Sequence, residues 1–240
     1  MESEGKERGC VVEEHAPILH FHPREGEFCC YPSDAEEVYS KFHQRWDEFN
    51  RDVSPSQLNQ ATPCYYELWQ DESMTQIRYW IWYNYNRFPG APFGLGDHIG
   101  DWEHVEVRIY HKQHRGTLWL LSNHLDYRLA AIPEGFTLPQ RKSRTPILDK
   151  NHIHVWSALG SHAHYTSPDS EPRCYARILC DKVKDGGEIW NTWHTLKPLG
   201  KTNFHTFTGR WGNSGSPRSP SNPYNNRWRN APNLVPEYTE

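Results

Sequence analysis

The chain has 240 residues, 36% of them hydrophobic, and a formal net charge of −4 with no dense basic run, a balance that disfavours nucleic-acid binding. Its length suits one large all-β domain or two small ones. No apolar run approaches the ~20 residues of a transmembrane segment, and the polar, acidic start lacks the apolar stretch of a secretion signal, so a cytoplasmic location is expected.

Residues 1–15 read as a charged, flexible start. Ala16–His22 is a short strand that Pro23 and Gly26 end. Ser33-Asp34-Ala35-Glu36 is a capping box, after which Val38, Tyr39, Phe42, Trp46 and Phe49 recur at helical spacing, predicting one helix over 34–50. Between Ile77 and Asn86, Ile77, Tyr79, Ile81, Tyr83 and Tyr85 line one face of a strand, and Arg78, Trp80, Trp82, Asn84 and Asn86 the other. Rings on both faces predict a central strand covered on both sides. A turn-rich loop, Phe88–Gly96, leads into a strand ending at Tyr110. His111–Gly116 then turns the chain into an antiparallel partner, Thr117–His124.

Pro133–Lys150 is a polar loop. Short strands are expected over 152–158, 174–180, 188–196 and 203–208. The Pro-, Ser- and Asn-rich tail, 213–240, is expected to wrap the domain, with Trp228 pinning it. The whole predicts a mainly β protein: a β-sandwich of antiparallel strands over 16–212 as a single domain, with one appended helix. The six cysteines show no Cys-x-x-Cys spacing and are expected as reduced thiols, the neighbours Cys29 and Cys30 as buried and inert.

The strand up to Tyr110 carries the chemistry. On its period of two, Asp101, Glu103, Val105, Val107 and Ile109 share a face. That face should be buried, yet it begins with two carboxylates, which are costly inside a protein unless paired or bound to a cation. With His98 just before them, they supply hard oxygen ligands and one imidazole for a divalent metal, with Mg²⁺, Ca²⁺ or Mn²⁺ favoured over Zn²⁺. A surface salt-bridge cluster is the alternative. The 15 histidines strengthen the case for metal or acid–base chemistry. His162 or His104 could move a proton beside a metal-bound water, and a buried histidine bonded to backbone is an equal alternative for His162. Ser161 lacks the Gly-x-Ser-x-Gly setting of a nucleophile and reads as a turn hydroxyl. His152 and His154 share a face with Trp156 and read as packing. Trp102, Tyr85, His164 and Arg210 are candidate ligand-binding groups.

Five segments occur in order: Ala16-Pro17-Ile18-Leu19, Tyr83-Asn84-Tyr85-Asn86, Gly100-Asp101-Trp102-Glu103-His104-Val105, Ala158–Tyr165 and Phe207–Gly212. Together they resemble the vacuolar protein sorting-associated protein 62 family over residues 16–212. That family is in turn similar to the necrosis- and ethylene-inducing-like proteins, whose hallmark is Gly-His-Arg-His-Asp-Trp-Glu. The matching stretch here is Asp97-His98-Ile99-Gly100-Asp101-Trp102-Glu103. His98, Asp101 and Glu103 fall on positions that bind a divalent metal in those toxins. The second His is Gly100 here and the leading Gly is Asp97. The resemblance implies a β-sandwich and a metal set of His98, Asp101 and Glu103, with Asp97 or Asn86 to stand in for a further, acidic ligand that the toxins carry upstream.

Two functions are therefore expected. One is a metal-dependent intracellular enzyme, a hydrolase or a lyase or cyclase, acting on a small organic substrate. The alternative is a metal-dependent glycan- or lipid-headgroup-binding protein, cytolysin- or lectin-like, without catalysis.

Overall fold

The computed structural model describes residues 10–49, 54–111, 116–123, 126–129, 136–137, 145–175, 178–223 and 237–238. Its strands, in chain order, are β1 (Ile18–His20), β2 (Cys64–Gln70), β3 (Met74–Asn86), β4 (His98–Tyr110), β5 (Gly116–Asn123), β6 (Asp126–Leu129), β7 (Phe136–Thr137), β8 (Leu148–Asp149), β9 (His152–Ser157), β10 (His164–Tyr165), β11 (Cys174–Tyr175), β12 (Leu179–Cys180), β13 (Ile189–Asn191), β14 (Leu196–Pro198) and β15 (Glu237–Tyr238). A six-stranded sheet runs β14-β2-β3-β4-β5-β6. A second sheet runs β10-β9-β1-β13, with β8 beside β9.

The alternation in β3 and β4 decides how these sheets sit. Ile77, Tyr79, Ile81 and Tyr83 of β3 and Val105 and Val107 of β4 pack with Leu19, Ile153, Val155 and Trp190 from the second sheet and with Phe21 just after β1. This is the core of a β-sandwich. The opposite face of β3 and β4 is also covered. Trp80, Trp82 and Trp102 pack with Ala35, Val38, Phe49, Phe204 and Trp211 in a second apolar layer. The predicted two-sided central strand is present.

The helix is shorter than the periodicity predicts. It divides into α2 (Ala35–Phe42) and a 3₁₀ turn, Trp46–Glu48, preceded by the four-residue α1 (Glu25–Phe28). Trp46 and Phe49 still reach the aromatic layer, which is why the spacing reads as continuous. Asp34 is the cap, accepting from the Glu36 and Glu37 amides. Ser33 donates instead to Asn84 Oδ1 at 2.5 Å.

Four further expectations are corrected. Residues 10–14 are helical rather than frayed: Val12 is buried, and the Tyr79 hydroxyl donates to its carbonyl at 2.7 Å. The sheets are mixed, since β1 pairs with β9 and β14 with β2 in parallel. Residues 174–180 are not one strand but the antiparallel pair β11 and β12, joined by a Cys174–Cys180 disulfide, so those two thiols are not reduced. Residues 203–208 form no strand, and 203–206 are turns. The start of the tail folds back, with Trp211 N bonded to Pro217 O and Ser219 N to Gly209 O. Trp228 and most of the predicted 133–150 loop lie outside the described residues. Among the described residues, no helix is long and apolar enough to cross a membrane.

Candidate functional site

The site is built where β4 enters the sandwich beside the turn between β9 and β10. Register pairs Tyr83 with Asp101 and Ile81 with Glu103, so both carboxylates lie on the core-facing side and both are buried. Glu103 accepts a bond from the Ser122 hydroxyl, which in turn accepts from the His104 amide at 2.8 Å. Burial first, and then the neighbouring charge of Asp101, push the Glu103 carboxyl well above the usual carboxylate range.

The β9–β10 turn supplies the partner. Ala158 N bonds to Ala163 O, and His162 N bonds to Ala158 O. Gly160 has φ +66, and a Cβ there would stand 2.6 Å from the Arg87 carbonyl, so the reversal needs glycine. The turn drives His162 into the interior, where it is fully buried. Its Nδ1 lies 3.0 Å from Asp101 Oδ2. Its Nε2 faces Cys30 Sγ at 3.8 Å and Glu25 Oε1 at 3.7 Å. The ring stacks on Tyr83 with centroids 3.7 Å apart and planes 7° from parallel. Burial opposes the charged imidazole, but the bonds to Asp101, Cys30 and Glu25 outweigh it and raise the pKa well above the ordinary value.

Around this pair the polar groups are tightly held. Glu25 is fully buried in α1 and accepts from the Gly160 amide at 3.1 and 3.2 Å. Ser161 and Tyr165 each donate to Asp181 at 2.5 Å, which gives Ser161 the turn-hydroxyl role. His164, buried on β10, places Nδ1 3.2 Å from the His104 carbonyl. His104 lies against Trp80, with centroids 4.7 Å apart.

The structure thus gathers Asp101, Glu103 and His162. The other expected groups make contacts of their own. His98 turns its Nδ1 onto the Gly100 carbonyl at 2.7 Å, and its Cβ lies near Gly215 of the tail. His98, Asp101 and Glu103 do not place their ligating atoms within 4.8 Å of one another; among the described residues, Cys29, Cys30 and His162 do. Tyr85 donates to Asp97 Oδ2 at 3.3 Å, and Asn86 donates to the Gly96 carbonyl at 3.1 Å. Asp97 Oδ1 and Asn86 Oδ1 are buried without a hydrogen-bond partner. Such oxygens are the donors that hard divalent cations take. Trp102 is enclosed by Tyr65, Trp80, Trp82, Phe204 and Trp211. Arg210 donates to the Ser216 carbonyl at 2.6 Å. His152 and His154 pack, His152 against Trp193 and His154 against His20.

Sequence reasoning missed Glu25, Tyr83, Ser122 and Asp181, and it read Cys30 as inert. Glu25 shares its short helix with Glu27, and nothing local separates the buried from the exposed one. Cys30 is buried, and although burial raises a thiol pKa, the contacts with Cys29 and His162 lower this one to about 6.

No protein-family model and no curated protein sequence matches the chain. Solved structures do. NLPPya in complex with glucosamine has 13% identity and a TM-score of 0.50, over 96% of this chain and 90% of that one. NLPPya in complex with mannosamine has 12% identity and a TM-score of 0.45, over 82% and 75%. Necrosis and Ethylene inducing Protein 2, from the causal agent of cocoa's Witches Broom disease, has 13% identity and a TM-score of 0.42, over 81% and 76%. At such identity the likeness concerns the fold alone. The resemblance to the vacuolar sorting family finds no matching family model, and what is shared is the fold of the necrosis- and ethylene-inducing proteins.

Proposed function

We propose that the protein binds a glycan or lipid headgroup, and that oxygen donors at the start of β4 hold a hard divalent cation, Mg²⁺, Ca²⁺ or Mn²⁺, as part of that site. The observation that carries this reading is the pair of buried carboxylates, Asp101 and Glu103, side by side on one strand face. Ionising both costs hydration and mutual repulsion, which is why the Glu103 carboxyl holds its proton, and a cation relieves both penalties. The unpartnered Asp97 Oδ1 and Asn86 Oδ1 are oxygens of the same kind at the strand's entrance. A bound cation would supply positive charge able to coordinate sugar hydroxyls. Phe93 stands fully exposed on the loop entering β4, where Gly94 approaches Asp97, and offers a ring for a sugar face. The fold shared with a structure that holds glucosamine supports the same class of ligand.

Binding is favoured over turnover because the fold is shared with a structure that holds an amino sugar. The test is retention on glycan and glycolipid arrays with Mg²⁺ or Ca²⁺ and again with EDTA. Cation-dependent retention that Asp101→Asn and Glu103→Gln abolish is expected. Retention indifferent to EDTA and to both substitutions would overturn the reading. EDTA-sensitive turnover of an ester or lactone panel would transfer the site to an enzyme.

A further inference from the structure

Beside the carboxylate pair lies a second donor group of different chemistry. We propose that Cys29, Cys30 and His162, with Glu25 as the fourth ligand, form a structural site for a thiolate-preferring divalent cation, Zn²⁺. This does not rest on headgroup binding, because none of the four ligands belongs to the oxygen set proposed above.

Geometry is the first support. The ligating atoms of Cys29, Cys30 and His162 lie within 4.8 Å of one another. Tetrahedral zinc with ordinary Zn–S, Zn–N and Zn–O bonds sets its ligands about 3.6 Å apart for S···N and about 3.4 Å for N···O. Here Cys30 Sγ lies 3.8 Å from His162 Nε2, and Glu25 Oε1 lies 3.7 Å from the same nitrogen. The two sulfurs stand 2.9 Å apart and must open to about 3.8 Å. Cys29 is the half-buried member, so rotation of its side chain provides both that opening and an entry path. Glu25 sits outside the tight trio and swings in from its bond to the Gly160 amide.

The surroundings of His162 are the second support. A metal-ligating histidine characteristically holds its other ring nitrogen on a carboxylate, which orients the ring and strengthens the ligand. Asp101 Oδ2 is 3.0 Å from Nδ1, and this leaves Nε2 aimed at Cys30 and Glu25. Tyr83 fixes the ring plane by stacking. The backbone of His162 has φ +53, a conformation costly for a residue with a Cβ, and such strain persists where the surroundings over-determine it. Glu25, His162 and Cys30 are all fully buried. A closed pocket of two thiolates, an imidazole and a carboxylate selects zinc over magnesium or calcium, and with no open position its role is structural. Such an ion would tie α1 and the segment after it to the β9–β10 turn.

The test is Co²⁺ titration of the reduced full-length protein without oxygen, followed by Zn²⁺ displacement. One equivalent of Co²⁺ should bind, with sulfur-to-cobalt charge-transfer absorption and the intense visible bands of a tetrahedral site, and Zn²⁺ should bleach both. Cys29→Ser and Cys30→Ser should each weaken the charge-transfer band, the double variant should lose it, and Glu103→Gln should keep it. Asp101→Asn should keep the band and weaken Zn²⁺ binding about 10- to 100-fold. If Cys30→Ser does not fold, Cys29→Ser at the half-buried position gives the same reading. Folded wild-type protein without the thiolate band, or a band undiminished in both serine variants, would overturn the proposal. So would a mass showing Cys29 and Cys30 oxidised to one another and resistant to reductant in the folded protein.

Discussion

His162 Nδ1 lies 3.0 Å from Asp101 Oδ2, and both side chains are buried. This pair joins the first turn after β9 to the strand that carries the acidic sequence. Asp101→Asn keeps the shape of the side chain and removes its charge. A buried, raised-pKa imidazole then loses its principal counter-charge. The expected loss is about 2–4 kcal/mol of unfolding free energy by urea titration, within the range for breaking a buried charged hydrogen bond. A loss under about 0.5 kcal/mol would place the pair among the weak, solvent-exposed ion pairs.

A buried triad farther along the same strand gives the strongest electrostatic prediction. Arg78 Nη2 bonds to Glu106 Oε2 at 2.7 Å, and Arg108 Nε bonds to Glu106 Oε1 at 2.6 Å. Gln76 adds a third donor at 2.7 Å. Glu106→Ala would remove the carboxylate that two interior guanidinium groups share. It should cost about 3–5 kcal/mol, read as a lower urea midpoint with little change in slope. An intact midpoint would mean that the guanidinium groups find water or other acceptors.

Much of this frame is legible in the sequence because β3 and β4 are long. Over 13 residues each, a period of two separates the faces, so the core side and the aromatic side both follow from residue type. Asp101 and Glu103 stand out for the same reason. His162 is 61 residues from Asp101, and only the pairing of β10 with β9 brings it near. That pairing is two residues long, too short to have a period. Glu25 sits on a four-residue helix and is equally unmarked. The parallel β1–β9 pair and the Cys174–Cys180 disulfide depend on where distant or looped segments meet, which local pattern does not encode.

Gly100 explains one departure from the toxin-like sequence. It has φ +72, and an added Cβ would stand 2.4 Å from the Trp82 ring and 2.8 Å from the Trp211 carbonyl. The aromatic layer closes over the place where the toxin hallmark has its second histidine. Gly100→Ala should therefore destabilise by about 2 kcal/mol or more, through backbone strain and overpacking together. Gly100→His should be worse still. A thermal shift of either variant within a degree of wild type would mean that Trp82 and Trp211 move aside easily.

Acid should weaken the fold through a histidine pair remote from the carboxylates. His20 Nε2 and His154 Nδ1 are 2.7 Å apart, and His20 stacks on Trp156 with centroids 4.6 Å apart. Desolvation lowers both pKa values; each histidine also lowers or feels its neighbours, His154 acting on His20 and His152 on His154. Asp185, exposed and 3.7 Å from His20 Nδ1, and Asp149 near His154 oppose this only in part. In the folded state the pair stays neutral below the ordinary histidine pKa, whereas the unfolded chain takes up the protons. The unfolded state then binds more protons, so stability falls as pH drops below about 6.5 and goes on falling until the lowered folded-state values are reached. His162 has a raised pKa and titrates in the opposite sense, so the pair must be isolated by difference. His154→Gln removes one member. Its urea midpoint should change less than that of wild type between pH 7.5 and pH 5. Equal slopes for the two proteins would show that His20 and His154 do not carry this part of the acid sensitivity.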